Sequence, residues 1–269
     1  MSGGWLRVYA VVYLIFLYAP IILLPLFAFN DSTIIAFPLN SFTTKWFEEL
    51  TTVRALHDAL GNSLVIAVTS AVLATVLGIC AARAATRFRF PGKAGIMGLI
   101  MLPLVLPEII VAVSLLVVIV QIFGLQLAQW SVIAAHTLIC TPFCIAILNA
   151  SFSNLDPSLE EAAYDLGETK WSTFRLVTLP LVMPGIVASL LISFTISLDE
   201  FIIAFFLTGA QPTLPVYIWG LMRFPGQLPI VMALGTLLVL ASILLLVIAE
   251  AFRRRGVARV GSKDAGGYL

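Results

Sequence analysis

Three carboxylates stand inside runs that are otherwise apolar: Glu108, Asp199 and Glu200. An ionisable group in a bilayer is costly and usually functional. Acids along a passage could carry a cation through it, offsetting its lost water while still letting it go. On an unbroken helix Ser189, Ser193, Ser197, Glu200 and Ala204 share one face, and Thr195 and Asp199 fall on the next. The serine stripe favours Glu200 as the acid that lines such a route, with Ser197 beside it. Small residues also suit close helix packing, the alternative use of the same stripe. Glu108 follows Pro107 and could instead satisfy groups freed by a proline kink.

A second charged constellation is EEAAYDLGETKWSTFRLVTLPLVMP, residues 160–184. Asp156 can cap a helix, Pro157 suits its first turn, and Gly167 is a natural stop. Glu160 and Glu161 lie where the helix dipole favours acids. Leu159, Ala162, Ala163 and Leu166 recur as one apolar stripe. About ten residues are too few to hold a helix in water, so it must pack on something. A membrane surface would repel it, because Asp156, Glu160, Glu161, Asp165 and Glu168 all precede the first lysine. A partner protein with a groove suits it better; packing on its own bundle is the alternative.

Both constellations need a scaffold. The chain has 269 residues, 61% hydrophobic and 11% charged, against about 25% charged in a soluble protein. Six apolar runs are long enough to cross a bilayer, at about 20 residues each: about 8–30, 62–84, 95–123, 130–150, 182–207 and 228–252. The first contains Pro20 and Pro25, where a break is expected. It is too long for a signal-peptide core and is read as retained. With the N-terminus inside, twelve of the fifteen Lys and Arg face the cytoplasm, leaving Lys45, Arg54 and Arg223 outside. The positive-inside rule therefore predicts cytoplasmic termini, an external segment about 31–61 and a cytoplasmic loop about 151–181. The run Arg253-Arg254-Arg255 reads as an anchor at the membrane edge.

Several chemistries lack their residues. Pro91-Gly92-Lys93-Ala94 has neither the upstream glycine nor the hydroxyl of a P-loop. The histidines, His57 and His136, stand in no metal-binding pattern. No serine motif stands out beside His136, which reads as a packed or hydrogen-bonded helix residue. Cys80, Cys140 and Cys144 read as small helix residues. No nucleic-acid-binding face is present.

Glu161-Ala162-Ala163, Gly167 after three further residues, and the trailing Leu179-Pro180 resemble the EAA loop of inner-membrane subunits of binding-protein-dependent ABC importers. Trp46-Phe47, Leu50 and Asn62-Ser63 resemble the same superfamily. Tyr18-Ala19-Pro20, Phe29-Asn30-Asp31-Ser32 and Ser197-Leu198-Asp199-Glu200 resemble its polyamine (spermidine/putrescine) permease subfamily, the second of the two permease subunits. The resemblance covers about residues 8–252.

It implies an all-α, polytopic, six-helix type I permease fold, with residues 1–269 as a single transmembrane domain in the bacterial inner membrane. The EAA loop would be the coupling helix, docking Leu159, Glu161, Ala162, Ala163, Asp165, Leu166 and Gly167 in a cleft of a cytoplasmic ATPase dimer. ATP and magnesium would sit on that partner; this chain would carry no catalytic residue, cofactor or metal. Further expected partners are a paralogous permease subunit or a second copy, a periplasmic solute-binding protein, membrane lipid and a polyamine substrate. The resemblance weights Asp199 slightly above Glu200 as the route acid. Importers of other small organic solutes or of ferric iron share parts of these motifs. The rival from another class is a stand-alone channel or secondary carrier.

Overall fold

The computed structural model describes residues 3–244. The end of the sixth apolar run, the Arg253–Arg255 anchor and the tail lie outside the described residues. The chain forms two units, one of residues 1–54 and 218–269, the other of residues 55–217.

In the first unit α1 (Gly3–Ala28) runs unbroken through Pro20 and Pro25, where the sequence led us to expect a break. Each proline forfeits one backbone bond, yet in a hydrocarbon medium leaving the helix would forfeit more. Beyond α1 the chain doubles back, with Asp31 N–H donating to Ser41 O (2.9 Å) and Thr43 N–H to Phe29 O (2.8 Å). The short helix α2 (Lys45–Thr52) packs into this turn. Its buried Trp46 donates from Nε1 to Asn30 O at 2.9 Å, and Phe47 packs at a tilt against Phe29, ring centroids 4.9 Å apart. Lys45 pairs with Asp31 and holds that carboxyl below the usual carboxylate range. The helical segment Pro225–Leu244 approaches α1 at Gly235, where a Cβ would lie 3.4 Å from Leu24.

The second unit begins with α3 (Arg54–Arg87), 34 residues long. At 1.5 Å per residue it is about 51 Å long, well beyond a hydrocarbon core of about 30 Å. The third apolar run is two helices, α4 (Lys93–Met101) and α5 (Glu108–Val117). They meet at a bend of 103°. Pro103 and Pro107 lie at the break, where neither can donate to a helical ladder. Next come α6 (Gln129–Ser153), α7 (Pro157–Asp165) and α8 (Lys170–Thr173). A π-turn, Phe174–Thr178, leads from α8 into α9 (Leu179–Asp199). The short helices α10 (Ile202–Leu207) and α11 (Leu214–Met222) come after it. Among the described residues, five helices could cross a membrane by length and composition, or six if α4 and α5 form one bent span.

The α6–α9 pair is the centre of this unit. Its contact is built from small residues. A Cβ on Gly185 would meet Ser151 of α6, and α3 approaches α6 in the same way, where a Cβ on Gly78 would lie 2.6 Å from Cys144 Cβ. Close approach of this kind is how helices associate where lipid is as apolar as the side chains. Asn62 and Ser63 on α3 tie down the chain before α11: Asn62 Nδ2 donates to Pro212 O (3.2 Å), and Leu214 N–H donates to Ser63 Oγ (2.7 Å).

Candidate functional site

The helix α7 has the ends its sequence encodes. Asp156 accepts from Ser158 N–H at 3.0 Å, Pro157 stands in the first turn, and Gly167 is left-handed at φ 87°. Gly167 N–H donates to Tyr164 O and Glu168 N–H to Ala163 O, the paired bonds of a Schellman stop. Bonding to Ser158 holds the Asp156 carboxyl below the usual carboxylate range. Because its folded value is depressed, the cap is intact at neutral pH and is lost only as pH falls through that lowered value.

The stripe divides between two faces. Ala163 is buried and packs inward. Ala162 and Leu159 are exposed, and Leu166 is 86% exposed. Glu161 and Asp165 are exposed too. The exposed edge of α7 is therefore Leu159, Ala162 and Leu166 flanked by Glu161 and Asp165, while Ala163 is turned into the chain's own bundle. A four-residue stripe on a helix spans more than one contact surface, and here the own bundle takes one edge.

Glu160 is a residue the sequence reading missed as distinct from its neighbour. It is only 8% exposed. Thr178 Oγ1 donates to its Oε1 at 2.5 Å. Arg87 Nε lies 3.1 Å from Oε2 and Arg83 Nη1 3.8 Å from Oε1, as charge contacts rather than aligned hydrogen bonds. Arg83 also lies over the Phe174 ring at 4.3 Å, and Arg87 Nη2 donates to Leu155 O at 3.5 Å. One carboxylate thus joins α7 to the end of α3 and to the π-turn before α9. Removing one member of a buried ionic cluster costs about 3–5 kcal/mol, because the others stay desolvated. Arg83 and Arg87, four apart on one face of α3, were the available signal: two guanidinium groups there need a shared acid.

The second constellation is reorganised by a helix break. α9 ends at Asp199, and Glu200 is extended at φ −68°, ψ 121°. Glu200 is 7% exposed. Its carboxylate accepts from Ile203 N–H (2.9 Å) and Ala204 N–H (3.0 Å), capping α10. His136 Nε2 lies 3.3 Å from Oε2, and its Nδ1 is 2.7 Å from Ser197 Oγ. Ser197, His136 and Glu200 are the residue types of a hydrolytic triad. All three are buried, however, and both Glu200 oxygens are held by backbone donors, so the group clasps α6 to the α9–α10 break.

The serine stripe likewise faces α6. Ser193 Oγ lies 2.9 Å from Cys144 Sγ, and Ser189, Ser193 and Ser197 are all buried. Ser197 and Glu200, expected to line a passage, are buried against α6 here: the break takes the chain beyond Asp199 out of register with the stripe, and the small face is engaged in helix packing. Asp199 is different. It is exposed at the end of α9, beside exposed Thr195, and its carboxylate has no hydrogen-bonding partner among the described residues. Glu108 is exposed in the first turn of α5, directly after the bend. α5 and α10 pack together. Asp199 and Glu108 therefore both mark interruptions of apolar runs, where irregular backbone is tolerated only inside protein or beside a polar cavity.

Known proteins resemble this chain along most of its length. Residues 74–260 match the family described as binding-protein-dependent transport system inner membrane component. The chain is 35% identical over 271 residues to the spermidine/putrescine transport system permease protein PotC of Shigella flexneri, covering 99% of this chain and 97% of that one. It is 36% identical over 230 residues to the putrescine transport system permease protein PotI of Escherichia coli K12, covering 83% of this chain and 81% of that one. In fold it matches the bacterial alginate ABC transporter solved in complex with an alginate pentasaccharide-bound periplasmic protein. That match has a TM-score of 0.72 at 22% identity and covers 94% of this chain and 93% of that one.

Proposed function

The chain belongs to the family of binding-protein-dependent transport system inner-membrane components, and from that premise we propose that it forms one half of an ATP-driven import route for a polyamine such as spermidine or putrescine. It is a transport subunit with the membrane-spanning helices such a part needs. In this reading a partner ATPase dimer holds ATP and magnesium, a second permease subunit, paralogous or identical, completes the route, and a periplasmic binding protein delivers the substrate. The chain lies in the inner membrane with both termini in the cytoplasm.

The observation that carries the cation reading is Asp199, a carboxylate left uncovered at a helix break while its neighbour Glu200 is consumed in structure. A polyamine is a flexible chain of spaced positive charges, and a route for it needs acceptors that replace water. Names of relatives that transport spermidine and putrescine support the same class. Uptake of radiolabelled putrescine in cells lacking other polyamine importers tests it. Unlabelled spermidine should compete, and neutral sugars or oxyanions should not. Competition by an oxyanion with none by spermidine would overturn the substrate class.

Orientation is tested by cysteine labelling from the periplasmic side, in a chain whose Cys80, Cys140 and Cys144 have been replaced. Thr51→Cys, on an exposed position of α2, should be modified, and Thr169→Cys, just before α8, should not. The reverse pattern would invert every assignment of sides.

A further inference from the structure

We propose that Glu160 is the positioning residue that converts docking on α7 into movement of the spans, by making α7, the end of α3 and the start of α9 a single body. The proposal rests on the importer reading above and names a residue outside the docking face.

A nine-residue helix does not hold its own orientation in water. Its caps fix its ends, yet they tie it to nothing else. Among its residues only Glu160 and Ala163 are buried, and an alanine offers little apolar area. The angle at which α7 leaves the bundle therefore depends on the Glu160 cluster. That cluster reaches Arg83 and Arg87 on α3 and Thr178 on the π-turn feeding α9. Arg83 is itself held against Phe174 of the same turn. A push on exposed Leu159, Ala162 and Leu166 is thus delivered through the two ion pairs and the Thr178 hydrogen bond to two helices long enough to cross a membrane. A greasy contact would slide under the same push. α9 is the helix that ends at Asp199, so the clamp and the route acid lie at opposite ends of one helical run.

The test uses the whole complex, purified through this chain and reconstituted in proteoliposomes, with ATP hydrolysis and radiolabelled spermidine uptake measured together. Glu160→Gln leaves the docking face intact, so the ATPase should still co-purify and hydrolyse ATP. Substrate carried per ATP should fall at least about tenfold, since two guanidinium groups lose their shared anion. Glu160→Asp keeps the charge and should recover part of the ratio. Thr178→Val removes one hydrogen bond without baring a charge and should lower the ratio about threefold at normal expression. An unchanged ratio in Glu160→Gln, or a loss of uptake and hydrolysis in equal proportion, would overturn the proposal. Should Glu160→Gln fail to reach the membrane, Thr178→Val decides, and a wild-type ratio there overturns it. A wild-type complex that carries no ATPase would count against the importer reading, and the clamp would fall with it.

Discussion

Replacing Ala162 with tryptophan should abolish transport while leaving the chain inserted and folded. Ala162 is exposed on α7, so the indole enters open space and clashes with nothing in its own bundle. What it meets is the partner. Close approach to the backbone of α7 is possible only where the side chain is a methyl group, and a tryptophan there would hold a docking groove several ångströms away. Loss of a central, desolvated contact of this kind typically costs about 2 kcal/mol or more, a factor of about 30. ATP-driven uptake should fall to background, and co-purification of the ATPase should drop with it. Ala163→Trp is the control: it faces inward and should lower expression instead, because the side chain has no room in its own bundle. Normal uptake by Ala162→Trp at normal expression would refute the docking role of this face.

The contrast between these adjacent alanines shows where sequence reasoning reached its limit. The ends of α7 were legible because they are local chemistry: Asp156, Pro157 and Gly167 act within a turn of themselves, Pro157 stands in the first turn, and the bonds expected at Asp156 and Gly167 are present. The split of the stripe was not legible. It depends on which edge the rest of the chain covers, and that is settled by residues more than 70 positions away, such as Arg83 and Arg87. Glu160 and Glu161 are the same residue type side by side; α3 and the π-turn before α9 distinguish them.

The break at Glu200 was hidden for a related reason. Neither glycine nor proline stands there, and the apolar pattern runs straight through. A helix continued through 200 puts Glu200 with the serines and leaves Asp199 on the neighbouring face. With the break, Glu200 turns back to cap Ile203 and Ala204. His136, read as a hydrogen-bonded helix residue, is one, and its partner Ser197 lies 61 positions away in sequence. The membrane class and family were plain from composition and motif, since neither needs a long-range contact.

The sharpest consequence of that break concerns Asp199 and Glu200. Asp199→Asn removes an uncovered charge and should leave the fold intact. A desolvated cation that loses its charged partner is destabilised by about 2–5 kcal/mol, so spermidine uptake should drop by about 30-fold or more while ATP hydrolysis persists. Glu200→Ala should act the other way round. It removes the cap of α10 and the anion beside His136, costing about 0.5–2 kcal/mol for the cap alone, so the detergent-solubilised chain should melt earlier and accumulate less. Whatever complex forms should retain more uptake than Asp199→Asn.

The direct measurement is ATP-driven accumulation of radiolabelled spermidine in proteoliposomes holding the complex purified through this chain, with hydrolysis recorded in the same vesicles. The account predicts accumulation that requires ATP in the wild type, and its loss in Asp199→Asn with hydrolysis kept. ATP-independent spermidine movement by the chain purified alone, or undiminished uptake in Asp199→Asn, would contradict it.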